Sequence, residues 1–350
     1  MKRRKWMAFL LSVLMLLSML ALSACDDKKN GQETEAPVPS VTETKEPEPS
    51  KESIDPDETE PEETEPEEQG IIVTDMTGRT IVLEKPAEKV VALTASNCEI
   101  LYALGAGDTV VGRGEYCDYP AEVLDVPAVQ SGKDTNIEQI IALEPDVLFM
   151  STMAQTEEQV KQLENAGIAV IVSDAQDING VYESIALMGK VMGKDKEAEE
   201  IVSSMKASFA ELAEKATGDG SKSVYFEVSP LEYGLWTAGS GTFMDEVAEL
   251  IGLKNCFHDV NQWGEISEEQ VLERNPDYIV TITMYFGEGP RPEEEIAGRE
   301  GWGNLTAVKN NAILHLPNNE LSRPVPRLVE GAQKLFDLVY GEADSSDKAA

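Results

Sequence analysis

The chain carries one pattern twice, and that repetition limits its fold more than any other feature. Glu138-Gln139-Ile140-Ile141 precedes Pro145-Asp146-Val147, and Glu269-Gln270-Val271-Leu272 precedes Pro276-Asp277-Tyr278, with the same spacing from glutamate to proline. Each copy reads as a short helix ended at a proline, because the residue before proline is driven out of helical backbone, and then a strand. A second pair recurs in the same order: Thr94-Ala95-Ser96 opens one helix and Thr237-Ala238-Gly239-Ser240 opens its counterpart. Two matches in one order predict two lobes of like architecture facing each other.

The rest of the chain fits that frame. After Gly70, short apolar runs alternate with helical patterns, which predicts parallel sheets with crossover helices. In the first set, 89–93, 147–150 and 169–172 read as strands, with helices over 97–104 (closed by Gly105) and 157–166. The second set has strands over 224–228, 278–283 and 312–316, and helices over 243–251 (closed by Gly252) and 328–340. Between the sets, 178–216 holds no proline, and Val181, Ile185, Leu187, Met188, Val191 and Met192 follow helical spacing. Gly193 splits this stretch into one helix to Met192 and a second from Lys196 to about Ala216. A helical connector resists the wide hinge closure that an extended linker permits.

Ahead of this body stand two segments of another kind. Lys2, Arg3, Arg4 and Lys5 precede an apolar run from Trp6 to Leu22 and then Leu22-Ser23-Ala24-Cys25, the layout of a secretory signal. The last four residues resemble the lipobox of bacterial lipoproteins, which implies a signal over 1–24 and lipidation of Cys25. Segment 26–70 holds 17 Asp/Glu, 4 Lys and 7 Pro with few apolar residues, so with Cys25 it is expected to form a lipidated, disordered, acidic stalk over 25–70. The expected remainder is a lobe at 71–177, a connector at 178–216, a lobe at 217–341 and a frayed tail at 342–350. A net charge of −36 argues against nucleic acid and against anionic lipid headgroups as partners.

Chemistry-bearing motifs are sparse. The sequence has no GxSxG, HExxH or GxxxxGK[ST], so an extracellular enzyme is disfavoured. Gly239-Ser240-Gly241 is glycine-rich enough for a phosphate, but a tight strand-to-helix turn explains it better. Cys98, Cys117 and Cys256 show no metal or disulfide-framework spacing and read as small buried residues, with a Cys98–Cys117 bridge left open. His258 and His315 are the only histidines, and no His/Asp/Glu cluster has ligand spacing, so no metal or cofactor of the protein's own is expected.

Residues 71–341 resemble the substrate-binding proteins of bacterial ABC importers for iron–siderophore, haem and vitamin B12. The resemblance is carried by Val73-Thr74-Asp75 with Gly78-Arg79, Glu99 to Gly107, Tyr116-Cys117-Asp118-Tyr119-Pro120, Asn136-Ile137-Glu138 and Leu143-Glu144-Pro145-Asp146. Trp236 to Thr242 and Ser322-Arg323-Pro324-Val325-Pro326-Arg327 complete it. It implies an α/β fold of two Rossmann-like lobes joined by a long rigid helix, with ligand held in the cleft between them. It also implies a monomer, lipid-anchored outside the cytoplasm, that delivers a ferric siderophore or a corrinoid such as vitamin B12 to a permease dimer with its ATPase. Haem ranks third, and a surface sensor or adhesion lipoprotein on the same fold is the alternative.

Site residues follow from the same resemblance. Glu138 and Glu269 match the glutamates that pair with permease arginines, one per lobe; the bland alternative is a helix-N-terminal Glu stabilised by the dipole. Tyr116, Trp236 and Trp263 match aromatics that sandwich the ligand, Arg323 matches an arginine near it, and Arg327 is expected to support the last helix. By analogy with strand ends that border a cleft, Tyr285 or Phe286 lines it too. The chain departs from the family at Gly132, where vitamin B12 binders can carry an aromatic, and at Val325, which replaces a common glycine and would reshape the pocket floor.

Overall fold

A computed structural model describes residues 70–341 apart from 153–155, 284, 286, 288 and 317–319, all within one compact unit. The expected signal, Cys25, the stalk, Phe286 and the tail lie outside the described residues. The chain opens on an antiparallel hairpin, β1 (Ile71–Thr74) and β2 (Thr80–Leu83). Asp75 organises its turn, accepting from the Thr77 and Arg79 backbone N–H groups and from the Thr77 hydroxyl and Arg79 guanidinium. Val172 N–H also donates to Asp75, at 3.3 Å, and ties the hairpin to the first sheet.

That sheet runs in the order β5 (Ala128–Val129), β4 (Val110–Gly114), β3 (Val90–Ala92), β6 (Val147–Met150), β7 (Ala169–Val172), all parallel. β3 and β6 are buried on both faces, which explains their unbroken apolar runs. Helices α1 (Ala95–Ala103), α2 (Ile137–Ala142) and α3 (Glu157–Asn165) begin at Thr94, Asn136 and Thr156, whose side chains each accept a backbone N–H of the first turn. β4 escapes the sequence pattern because it reads Val-Val-Gly-Arg-Gly. A Cβ on Gly114 would sit 2.2 Å from the Leu93 carbonyl oxygen, so glycine is what lets β4 approach there.

The connection is a packed pair of helices, α4 (Ile178–Val191) and α5 (Asp195–Lys215), broken at Gly193 with φ +64°. At 21 residues, α5 is about 31 Å long. It buries Met205, Phe209 and Leu212.

The second sheet has the order β11 (Trp263–Glu265), β9 (Trp236–Ala238), β8 (Ser223–Ser229), β12 (Tyr278–Thr281), β13 (Ile313–His315), with β10 (Lys254–Asn255) also on β8. β8, β12 and β13 are parallel, while β9 returns antiparallel and β11 pairs antiparallel with it. Around it lie α6 (Phe243–Leu250), α7 (Glu268–Arg274), α8 (Pro292–Gly298), α9 (Thr306–Lys309) and α10 (Leu328–Tyr340). Helices α7, α8 and α9 share a core with Tyr225, Phe257 and Trp302, the latter two with tilted ring centroids 5.5 and 6.4 Å from Tyr225, while α6 and α10 join the larger core.

The duplicated motif has a structural role in both lobes. Glu144 and Asn275 end α2 and α7 in left-handed backbone (φ 49° and 43°), and buried Pro145 and Pro276 follow. Asp146 then accepts the backbone N–H groups of Glu88 and Lys89 at the entry to β3 (2.8 and 2.9 Å). Asp277 does the same for Ser223, the first residue of β8, at 2.9 Å. Each Pro-Asp therefore fastens its own strand to the central strand of its sheet.

Candidate functional site

Strand ends set the site. Tyr116 lies two residues beyond β4 and is 72% exposed. Trp236 opens β9 opposite Ser229, the last residue of β8, and is 40% exposed. Both rings are open to an apolar or aromatic partner, as are those of Tyr119, Tyr233 and Tyr285, so exposure alone does not single them out; their place at strand ends does. Trp236 pairs with Glu265 and Trp263 with Ala238, so the two tryptophans share one face of the β9–β11 ribbon as diagonal neighbours.

Trp263 is half-buried and held. Its Nε1–H donates to Gln176 Oε1 at 3.0 Å, and its ring meets Phe243 edge-on at 5.5 Å. The Gln176 backbone carbonyl also accepts the Phe243 N–H at 2.8 Å, so this residue after β7 joins the first lobe to the start of α6. Tyr285 is exposed beyond β12; its hydroxyl donates to the Gly289 carbonyl (3.3 Å) and its ring stands edge-on to His315. His315 itself lies 2.8 Å from the Thr283 carbonyl, a local bond.

Arg323 is occupied by the protein. One of its nitrogens donates to Glu99 Oε1 (2.7 Å) and to Asp118 Oδ1 (2.8 Å), and burial leaves the residue 8% exposed. Arg327 donates to Glu99 Oε2 from Nε and Nη2 (2.9 and 2.8 Å), and its guanidinium stacks 3.5 Å from the Tyr119 ring centroid. Burial alone would lower the Arg323 pKa, but Asp118 and Glu99 raise it above the usual arginine range. This cluster links α1 to the segment after β13 and fixes the loop that carries Tyr116. A cavity of about 630 Å³ beside it is lined by Glu99, Tyr102, Tyr119 and Arg327 among others, and by none of the five expected ligand contacts.

Glu138 and Glu269 both stand exposed in the first turn of α2 and α7. The Glu269 carboxyl is held below the usual glutamate range, chiefly by its own backbone N–H and then by Ser267. The neighbouring Glu268 turns inward instead and accepts Trp302 Nε1–H at 2.9 Å, and Trp302 lies under Arg299, 4.5 Å away. Arg299 in turn grips buried Glu227 of β8 through two bonds (2.6 and 3.0 Å). A buried chain of contacts thus runs from β8 to the helix carrying Glu269.

Several expectations resolve in physical terms. Gly132 has φ +89°, a conformation that favours glycine over an aromatic. Val325 is fully buried with Leu321 and Leu328, so it packs the core and does not floor a pocket. Gly239 and Ser240 spend their N–H groups on the Gln262 and Val260 carbonyls, at 2.8 Å each, which makes this a tight turn and leaves those donors unavailable to a phosphate. Cys98 and Cys117 are free, buried thiols that share the Ala92 carbonyl as acceptor (3.6 and 3.7 Å). Asp245, Glu249 and His258, which show no ligand spacing in the sequence, come together in space.

Comparison with known proteins agrees with this architecture. The family model described as periplasmic binding protein matches residues 90–320. The ABC transporter substrate-binding lipoprotein YvrC of Bacillus subtilis is 36% identical over 276 residues, covering 77% of this chain and 85% of the relative. The vitamin B12-binding protein of Salmonella choleraesuis is 28% identical, covering 72% and 90%. A possible iron-binding (periplasmic solute-binding) protein from Staphylococcus epidermidis superposes with a TM-score of 0.61 at 31% identity, covering 73% of this chain and 100% of that one. With two like α/β lobes, a helical connection and aromatics presented at the strand ends, the chain belongs to the periplasmic binding protein family.

Proposed function

We propose that this chain is the membrane-tethered, extracytoplasmic binding component of an ABC importer, and that its cargo is a metal chelate, a corrinoid or a ferric siderophore. The observation that carries this reading is the pair of exposed aromatics, Tyr116 and Trp236, at the strand ends of the two lobes, with Trp263 on the same face as Trp236. Broad rings capture a flat or aromatic chelate by stacking and apolar burial and need no chemistry on it. The names of the B. subtilis and Salmonella relatives favour importer and corrinoid respectively.

Delivery falls to Glu138 and Glu269. Two exposed carboxylates on equivalent helices suit a permease with two-fold-related basic sites, where paired charges set orientation and register. Lipidation of Cys25 would hold the protein at the membrane, with 26–70 as the spacer. The test replaces both glutamates with alanine and follows uptake of labelled cobalamin and ferric siderophores in cells beside binding by the purified protein. Loss of uptake with intact binding supports the importer; unchanged uptake of a cargo that the protein binds overturns it in favour of a sensor.

A further inference from the structure

Asp245 and Glu249 stand one turn apart on α6, and the turn after β10 brings His258 against both. His258 Nδ1 lies 2.9 Å from Asp245 Oδ2 and 3.7 Å from Glu249 Oε1, and one ligand atom from each residue falls within 4.8 Å of the others. Tetrahedral zinc, with nitrogen and oxygen donors about 2.0–2.1 Å from the metal, separates its donors by about 3.3 Å. The two distances to Nδ1 bracket that value.

The set is also braced. Asp245 is only 3% exposed, and its Oδ1 accepts Asn255 Nδ2–H at 2.8 Å. Asn255 is itself fixed, donating to the Ala238 carbonyl (2.7 Å) and accepting the Phe257 N–H (3.0 Å). This is the outer hydrogen bonding that orients a ligating carboxylate. Glu249 and His258 face solvent, so an ion has a way in. Among the described residues no lysine or arginine pairs with Asp245 or Glu249; Nδ1 faces both Asp245 oxygens (2.9 and 3.1 Å), with the Glu249 carboxylate 3.7 Å away. A plain Asp–His hydrogen bond explains Asp245 and His258; the exposed Glu249 carboxylate stands just beyond hydrogen-bond reach of the same nitrogen, at a separation that an ion between them would span.

We propose that Asp245, Glu249 and His258 form a divalent-cation site of the zinc class on the second lobe, separate from the cargo aromatics. Binding uses the Nδ1 lone pair, so the imidazole proton resides on Nε2 or passes to solvent, and water fills the fourth position. The ion clips α6 to the 254–260 turn. Val260 of that turn accepts the Ser240 N–H, so the clip steadies the turn between β9 and α6.

The experiment uses the full chain in detergent, without a polyhistidine tag and stripped by chelator, titrated with Zn²⁺ by calorimetry and with Co²⁺ by visible absorption. One equivalent of zinc, tetrahedral cobalt absorption and a zinc-dependent rise in Tm are expected. His258→Ala and Glu249→Gln, both at exposed positions, keep the fold and each weaken binding by at least about tenfold, as losing a direct ligand exceeds the loss of an outer partner. Absence of saturable binding overturns the site. So does equal binding in both variants, which places zinc elsewhere, as on the acid-rich 26–70 segment.

Discussion

Glu99→Gln tests whether Arg323 serves the fold or the cargo. The Glu99 side chain is 3% accessible and receives three charge-assisted bonds, one from Arg323 and two from Arg327. Glutamine keeps one acceptor oxygen but leaves Arg323 with only the half-exposed Asp118 as its carboxylate and Arg327 with none. Breaking a buried ion pair costs about 3–5 kcal/mol, and the partial exposure of the two arginines places this case near about 3 kcal/mol. For a body of this size, at about 2–4 °C per kcal/mol, Tm should fall by about 6–12 °C. The assay is thermal unfolding of wild type, Glu99→Gln, Arg327→Met and the double variant. A coupling energy of at least about 1 kcal/mol is expected from the cycle, since the two groups touch. If Tm moves by less than about 2 °C, the cluster holds nothing together. Arg323 would then be free to serve cargo, and the account of Tyr116 as a fixed contact would be wrong.

Three further outcomes follow from local geometry. Burial alone would raise the Asp75 pKa, but Thr77, Arg79 and the Val172 N–H hold it below the usual aspartate range. Its stabilisation is therefore complete above the unfolded pKa of about 3.9 and lost as pH falls through the lower folded value. Asp75→Asn should cost about 1–3 kcal/mol at neutral pH and give a flatter acid limb in denaturant melts, whereas a parallel shift at every pH would contradict this. Glu144→Gly relieves a left-handed non-glycine residue and should stabilise by up to about 1 kcal/mol, while Asn275→Gly should destabilise because it loses two bonds to Thr306; calorimetry ranks the pair. Burial pushes the Cys256 thiol up to about 12, so native alkylation near pH 8 should run at least about tenfold slower than for a free thiol, the scarcity of thiolate outweighing its greater nucleophilicity, and a rate near the free-thiol value would refute the burial argument.

Much of the fold is legible in the sequence because it is local. Apolar runs, caps and the Gly193 break locate the central strands and both connector helices, and the duplicated motif announces two like sheets. What escapes depends on distant partners or on backbone. β4 reads as broken because glycine, which permits close approach, also resembles a turn. β10 and β11 are two and three residues long, too short to show a period. The purpose of Pro-Asp is invisible until Asp146 and Asp277 are seen against β3 and β8. Arg323 matches a ligand contact by resemblance, yet its partner Glu99 lies 224 positions away. Asp245, Glu249 and His258 have no recognisable linear spacing, since a turn after β10 completes the set.

The central claim, that the aromatics at the strand ends hold a metal chelate, rests most directly on tryptophan fluorescence of the full chain. It would be titrated with cyanocobalamin, haem and ferric siderophores under inner-filter correction. The account predicts saturable quenching by a corrinoid or a ferric siderophore, weakened by about 1–3 kcal/mol in Trp236→Ala. Quenching that survives loss of both Trp236 and Tyr116, or no saturable response to any of these chelates, would contradict it.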